Sequence, residues 1–271
     1  MTATKPNNLP LWVQDRDTVI ANSTNAEWRY GEPPDYTESK EGLAKESTCN
    51  HPKGSLEDLV QNLVRTFELE VSFKTNPTQW LSVVNGQFKM SSNGGKDYKA
   101  EDVALAGTYN LFITDTEHYK PKEETFESSG KLFRTAFPKG FLWEVLEVYS
   151  SPPNVTFKWR HWGTFAGEYK GHVGKGETVE IIGMSLARVS EDLKIISVEH
   201  YFDNTAFLTK LTSGSKGDGY NCQQTADINS SASFGSSGLW GMIKRIWNWK
   251  QQPENVKPQT ATCPFHSNTA M

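Results

Sequence analysis

Apolar and polar side chains alternate with a period of two through four stretches of the chain, residues 141–149, 155–165, 178–189 and 194–202. The breaks between these stretches are short and rich in Ser, Pro, Gly, Glu and Asp. Strand-like runs at this spacing, with turn residues between them, predict an antiparallel meander of four β-strands.

A helical period replaces the alternation in residues 56–71, where apolar side chains recur at positions i, i+3, i+4 and i+7. Ser55 precedes this run and Asp58 follows three residues later, an arrangement close to a capping box. These signals predict the strongest helix of the chain. Residues 101–113 predict a second helix, which Gly107 weakens.

Two segments outside these elements carry turn or extended signals. The Asn85-Gly86 pair predicts a hairpin between residues 80–84 and 87–90. The prolines within residues 27–36 prevent a helix there. We therefore expect an extended arm that packs its aromatic side chains onto the domain.

The order of these elements predicts the fold class. A helix followed by a strongly curved antiparallel sheet is an α+β arrangement. A long helix across the open side of such a sheet would form a cone, and the mouth of a cone is a natural site for a small molecule.

Composition divides the chain into one domain and two tails. Hydrophobic residues make up 36% of the 271 residues and the mean hydropathy is −0.59, which is low for a chain packed throughout. The polar excess lies at the two ends. We expect a flexible extension at residues 1–25, a folded domain at 26–212 and a disordered polar tail at 213–271.

Charge and cysteine content exclude several classes of partner and cofactor. The net charge is −4, and no basic stripe precedes residue 244, so we expect no nucleic-acid partner. The three cysteines are odd in number and far apart, which gives neither a disulfide framework nor a zinc-binding spacing. We expect no metal and no cofactor. The first residues lack the apolar core of a signal peptide, so a cytoplasmic location is expected.

Six short segments follow one another along the chain: Trp-Arg-Tyr-Gly-Glu-Pro-Pro-Asp-Tyr at 28–36, Thr-Ala-Phe-Pro-Lys-Gly-Phe at 135–141, Val-Tyr-Ser-Ser-Pro at 148–152, Arg-His-Trp-Gly at 160–163, Tyr-Lys-Gly-His at 169–172 and Glu-His-Tyr-Phe-Asp at 199–203. In this order the chain resembles the plant pathogen-related protein family across about residues 26–212. That family is similar to the SnoaL-like group of the NTF2-like superfamily.

The resemblance implies an NTF2-like, SnoaL-like cone-shaped barrel that encloses an apolar pocket. SnoaL-type members are cofactor-free polyketide cyclases that close a ring by aldol chemistry. Other relatives are isomerases, dehydratases or proteins without an assigned reaction. The aspartate that ends the last strand in the family matches Asp203. The histidine that partners it there has no counterpart, because Val189 and its neighbours carry no imidazole.

Three residues are candidates for catalysis. Asp203 is the first choice as general base, since an apolar cavity raises a carboxyl pKa towards neutrality. The alternative is that Asp203 caps a short helix beginning near Ala206. His161 is a candidate acid or hydrogen-bond donor, or else a satisfied core residue. Glu199 would lie at the polar end of the pocket, unless its strand face is solvated.

Strand alternation supplies candidates for the substrate-binding wall. On the second strand, Phe157, Trp159 and Phe165 share a face with His161, which we expect to point inward. The last strand has two mixed faces, so its direction stays open. The further candidates are Trp143, Glu147 and Tyr201, and Glu147 is either a site residue or an edge residue. His200, on the face opposite Glu199 and Tyr201, is predicted to be structural.

The C-terminal tail contains one aromatic segment. Residues 237–250 predict a short amphipathic helix with three Trp on or near its apolar stripe and Lys and Arg mostly opposite. Its aromatic stretch, residues 239–249, would either touch a membrane surface or dock back onto the domain. Cys263-Pro264 is too short a motif to predict haem.

The leading hypothesis is therefore a cofactor-free cyclase, dehydratase or isomerase of secondary metabolism. It would act on a hydrophobic aromatic or polyketide substrate, within a polyketide synthase pathway and as a homodimer. The alternative is a non-catalytic protein that binds hydrophobic small molecules in a response to pathogens or stress.

Overall fold

A computed structural model of the protein describes residues 9–213. Its helices are α1 (Arg16–Ala21), α2 (Thr37–Glu46), α3 (Leu56–Phe73), α4 (Ala100–Ala106), α5 (Thr108–Phe112), α6 (Phe126–Ala136) and α7 (Asn204–Thr212). Short 3₁₀ helices lie at Leu11–Val13, Pro77–Gln79 and Pro121–Glu123.

The strands are β1 (Lys89–Ser92), β2 (Leu142–Val148), β3 (Asn154–Phe165), β4 (Glu168–Tyr169), β5 (His172–Val173), β6 (Glu177–Val189) and β7 (Ile195–Phe202). The main sheet has the order β1-β7-β6-β3-β2, and β4 pairs with β5 in a small hairpin. β2, β3, β6 and β7 pair antiparallel in sequence order, which confirms the predicted meander.

The predicted helix α3 packs against this sheet. Ser55 Oγ accepts a hydrogen bond from Asp58 N and caps its first turn, as the sequence indicates. Val60, Leu63 and Phe67 of α3 are buried in the main core. Burial of an aliphatic or aromatic side chain contributes roughly 1.5–3 kcal/mol. The expected α+β class, a curved antiparallel sheet covered by helices, is confirmed.

The hairpin predicted around Asn85-Gly86 is wrong. Gly86 does occupy a turn with φ +76°, closed by hydrogen bonds from Gln87 N and Phe88 N to the carbonyl oxygen of Val84, but residues 80–84 and 87–90 do not pair as strands. β1 pairs with β7 in parallel instead, and Val83 forms a parallel bridge to Ile195. β7, the edge strand of the meander, therefore pairs with the segments on both sides of the turn.

Two other predicted segments are present, the helix at 101–113 as two helices instead of one and the arm as expected. The second helix is divided into α4 and α5 at Gly107, whose φ of +80° is unfavourable for other residues. In the arm at residues 27–36, the rings of Tyr30 and Tyr36 both contact Phe73 at the end of α3. Helices α1, α2 and α6 were not predicted from the sequence.

The expected domain boundary at residue 26 needs correction. Leu11–Val13 and α1 both contact α3, and Val13 and Val19 are 2% and 0% exposed. The folded domain therefore includes these residues, which the composition had placed in a flexible extension. None of the helices within residues 9–213 has the length and apolar character to cross a membrane. The predicted helix at 237–250 and Cys263-Pro264 lie outside the described residues.

Candidate functional site

The side chains of β3 that the apolar–polar alternation predicted to point inward do lie on the inner face of the sheet. Phe157, Trp159 and Phe165 are buried and belong to the main core. Trp143 of β2 lies half-buried beside them, with its ring edge-on to Phe157 at 6.4 Å between centroids. These four candidates for the substrate-binding wall therefore share one face.

A cavity of about 40 Å³ lies between α3 and this inner face. Apolar side chains form nearly all of its wall, among them Leu63 and Phe67 of α3 and Ala187 and Val198 of the sheet. Among the described residues that line it, only His200 has a polar side chain.

His200 belongs to a hydrogen-bonded chain that crosses three strands. The β6–β7 register pairs it with Ser185, whose Oγ lies 2.7 Å from His200 Nδ1. Trp159 Nε1 donates to the same Oγ at 2.8 Å. Burial lowers the pKa of His200 to about 4, so the ring is neutral at pH 7.

The direction of β7, which the sequence left open, is thereby settled. Val198 and His200 face inward, and Glu199 and Tyr201 face outward. Glu199 accepts a hydrogen bond from Gly94 N at 3.0 Å, and Tyr201 is 41% exposed. Neither lines the cavity, contrary to the expectation that they form its polar end.

His161 points inward as expected but lies in a filled part of the core. Its Nδ1 is 2.7 Å from the carbonyl oxygen of Leu142, and its ring stacks on Phe141 at 3.8 Å. Phe141 in turn stacks on Phe137 and Phe207. Burial lowers the pKa of His161 to about 4, against the smaller opposing effect of the Leu142 hydrogen bond. His161 is absent from the cavity wall.

Asp203 lies outside the cavity. It is exposed, and its Oδ1 accepts a hydrogen bond from Ala206 N at 2.9 Å at the start of α7. This is the capping geometry that the sequence offered as the alternative to a buried base. An exposed carboxylate lacks the apolar surroundings that the base hypothesis requires.

Glu147 also lies on the outer side. It is exposed next to a bulge between Val145 and Glu147, where it pairs with Lys158 of β3. Of the nine residues expected in the site, the structure therefore brings Trp143, Phe157, Trp159, His161 and Phe165 to one face. It places Glu147, Glu199, Tyr201 and Asp203 elsewhere.

A larger groove of about 720 Å³ opens beside the cavity, among α4, α5, β1 and residues 121–127. Its wall is mixed, with Leu105 and Phe126 next to Lys96 and Glu124. Phe112 of α5 also lines the groove, and its ring stands edge-on to His200 with 5.0 Å between centroids. The side chain of Phe112 thus lies between the groove and His200, which lines the cavity.

Sequence reasoning missed His200, Ser185 and Phe112. Strand alternation put His200 on the face opposite Glu199 and Tyr201, and we predicted it to be structural and not part of a site. Ser185 is 15 positions from His200 along the chain, so only the strand register brings the two together. Nowhere in residues 9–213 do three or more His, Cys, Asp or Glu side chains gather in a way that would hold a metal ion.

Comparison with known proteins identifies a clear relative. The chain is 40% identical to the "Pathogen-related protein" of Hordeum vulgare over 191 residues, which cover 68% of this chain and 81% of the relative. No protein-family model matches the chain.

Solved structures show more distant similarity. A proposed polyketide cyclase from Acidithiobacillus ferrooxidans aligns with a TM-score of 0.38 and 12% identity, covering 61% of this chain and 100% of that one. A proposed SnoaL-like polyketide cyclase from Jannaschia sp. CCS1 aligns with a TM-score of 0.33 and 14% identity at the same coverage. An NTF2-like protein from Burkholderia thailandensis aligns with a TM-score of 0.33 and 12% identity, covering 55% and 94%.

Proposed function

The chain belongs to the pathogen-related protein family, and from this premise we propose that it binds a small, largely apolar molecule between α3 and the inner face of the sheet. One observation carries the proposal. The wall of the cavity is apolar except for His200, which is neutral at pH 7 and has a hydrogen-bonding nitrogen to offer. Ligand sites of proteins typically combine an apolar wall with a few polar groups that orient the ligand.

The cavity must enlarge before it can hold a ligand. About 40 Å³ is far below the roughly 300–1,000 Å³ of typical ligand pockets. The neighbouring groove, at about 720 Å³, is within that range. Phe112 lines the groove and contacts His200, so rotation of its ring would extend the groove towards the cavity. We propose that the ligand enters by this route.

Binding is better supported than cyclase, dehydratase or isomerase chemistry. Aldol closure needs a base that removes a proton next to a carbonyl group. No carboxylate is among the described residues that line the cavity, and Asp203 and Glu199 are engaged on the outside. His200, with its pKa lowered to about 4, is a weak base.

The name of the barley relative connects this family with pathogens, and we propose that the ligand takes part in such a response. Homodimer formation, a polyketide synthase pathway and a cytoplasmic location stay predictions. So does the proposed membrane contact of residues 239–249, which lie outside the described residues.

A fluorescence titration with N-phenyl-1-naphthylamine, an apolar probe, tests the proposal. The wild-type protein should bind it saturably. Ala187→Val adds two methyl groups to the cavity wall and should weaken binding roughly tenfold, because the wall then occupies space that the ligand needs.

Ala206→Val is the matched control, since the same substitution falls on an exposed position of α7. It should leave the affinity unchanged. Absence of saturable binding by the wild type would overturn the proposal, and so would equal loss of affinity in the two variants.

A further inference from the structure

The hydrogen bonds around Ser185 determine which nitrogen of His200 carries the proton. An indole N–H is a donor only, so Trp159 uses one acceptor position of Ser185 Oγ. The hydroxyl hydrogen of Ser185 then needs an acceptor. Ser185 is 0% exposed, and within residues 9–213 its Oγ has no hydrogen-bond partner besides Trp159 and His200.

His200 Nδ1 therefore supplies the missing acceptor. If Nδ1 carried the proton instead, it would donate to Ser185 Oγ and leave the serine hydrogen buried without a partner. An unsatisfied buried polar hydrogen of this kind costs roughly 1–3 kcal/mol. The favoured neutral imidazole has an unprotonated Nδ1 and a proton on Nε2.

The Nε2–H group is the end of this chain of donors. Nε2 lies on the side of the ring away from Nδ1 and makes no hydrogen bond to any residue between 9 and 213. The ring lines the apolar cavity and faces Phe112. In this chain Trp159 donates to Ser185 and Ser185 donates to His200. The Nε2–H of His200 is left as a donor, and none of the three groups is charged.

We propose that His200 is the specificity-determining residue of the site and selects apolar ligands that carry a neutral oxygen acceptor, such as a ketone. This inference rests on the proposed binding function. A donor in apolar surroundings discriminates strongly, because a ligand without an acceptor leaves the N–H unpaired. A hydrocarbon of the same shape should bind more weakly.

Two probes of matched shape test the selection, 2-acetylnaphthalene and 2-isopropenylnaphthalene, which differ only in a carbonyl oxygen against a terminal methylene group. We expect the wild type to prefer the ketone by about five- to tenfold, the value of one net hydrogen bond. His200→Phe should remove the preference. His200→Gln, whose amide retains a donor, should keep part of it.

The tautomer is measured separately in the unliganded wild type, by long-range ¹H–¹⁵N NMR of the histidine rings. The proton is expected on Nε2 of His200, and Ser185→Ala should reduce that preference. A proton on Nδ1 in the wild type, or equal affinity for the two probes, would overturn this inference and leave the binding function standing. Failure of both probes to bind would overturn both.

Discussion

The ring of Phe112 stands edge-on to the imidazole of His200, with 5.0 Å between centroids and 67° between planes. Phe112 is half-buried at the end of the five-residue helix α5, and His200 lies near the end of β7, between β1 and β6 in the main sheet. The pair therefore joins the groove, which Phe112 lines, to the cavity, which His200 lines.

Truncation of this ring should open the route. In Phe112→Ala, we expect N-phenyl-1-naphthylamine to bind several-fold more tightly or faster, because the ring no longer has to move aside. Stopped-flow fluorescence gives both quantities. Leu105→Ala is the control, since Leu105 lines the groove but is 82% exposed. An increase of the same size in both variants would show that Phe112 has no special role.

Acid should destabilise the protein through its two inward-facing histidines. Burial lowers the pKa values of His161 and His200 to about 4, below the unperturbed 6.5, so the unfolded chain binds protons more strongly. The stability that each neutral ring retains above pH 6.5 is lost as the pH falls towards 4. Relative to neutral pH, the free energy of unfolding at pH 4 is lower by about 3 kcal/mol per histidine.

Urea unfolding between pH 7.5 and pH 4 measures this loss. His161→Gln and His200→Gln should each flatten the pH dependence by about half of the histidine contribution. An identical slope in the wild type and both variants would mean that other groups cause the acid sensitivity.

Glu144 should be far more important for stability than its neighbour Glu147. Glu144 is 0% exposed and accepts hydrogen bonds from Thr48 N at 2.9 Å, from Thr48 Oγ1 at 2.8 Å and from Arg160 at 3.2 Å. It thereby fastens the segment after α2 to the outer side of β2. Glu144→Gln removes the negative charge that these buried donors and the Arg160 cation face. We expect it to lower the free energy of unfolding by about 2–3 kcal/mol.

Glu147→Gln is the comparison on the same strand, and a change within about 0.5 kcal/mol is expected there because the side chain is exposed. Chemical unfolding monitored by circular dichroism gives both values. Equal effects of the two substitutions would contradict the role assigned to Glu144.

Asp203 should behave as a helix cap. Asp203→Asn retains an acceptor for Ala206 N and should leave stability nearly unchanged, whereas Asp203→Ala should cost about 1 kcal/mol. Probe affinity should be the same in both variants and in the wild type, because Asp203 lies outside the cavity. Loss of probe affinity in Asp203→Asn at wild-type stability would return Asp203 to the site.

The elements that local periodicity specifies were predictable. The alternation along β3 identified Phe157 and Trp159 as inward-facing, because successive side chains of a strand point to opposite faces. The i, i+3, i+4 pattern and Ser55 located α3 within two residues at its end. Both signals lie within a single segment of the chain.

The features that could not be predicted are strand pairing, the direction of β7 and the packing of the core, because each depends on several segments at once. The hairpin at Asn85-Gly86 failed because its flanks pair with β7, more than 100 positions away. On β7 both faces were mixed, and it is the pairing of His200 with the buried Ser185 of β6, together with the cavity lining, that shows His200 to face inward. Aromatic rings of α5, α6 and α7 and that of Phe141, just before β2, stack on one another in the core, which no local pattern reveals.

The central claim is that a ligand binds next to His200, and the indole N–H signals of β3 test it most directly. Trp159 donates to Ser185 on the inner face, and Trp162 donates to Glu46 on the outer face. Both signals are assigned in ¹H–¹⁵N spectra by Trp→Phe replacement and followed during titration with N-phenyl-1-naphthylamine. The Trp159 signal should shift with the affinity found by fluorescence, while the Trp162 signal stays in place. A Trp159 signal that stays in place while the probe binds would contradict the account.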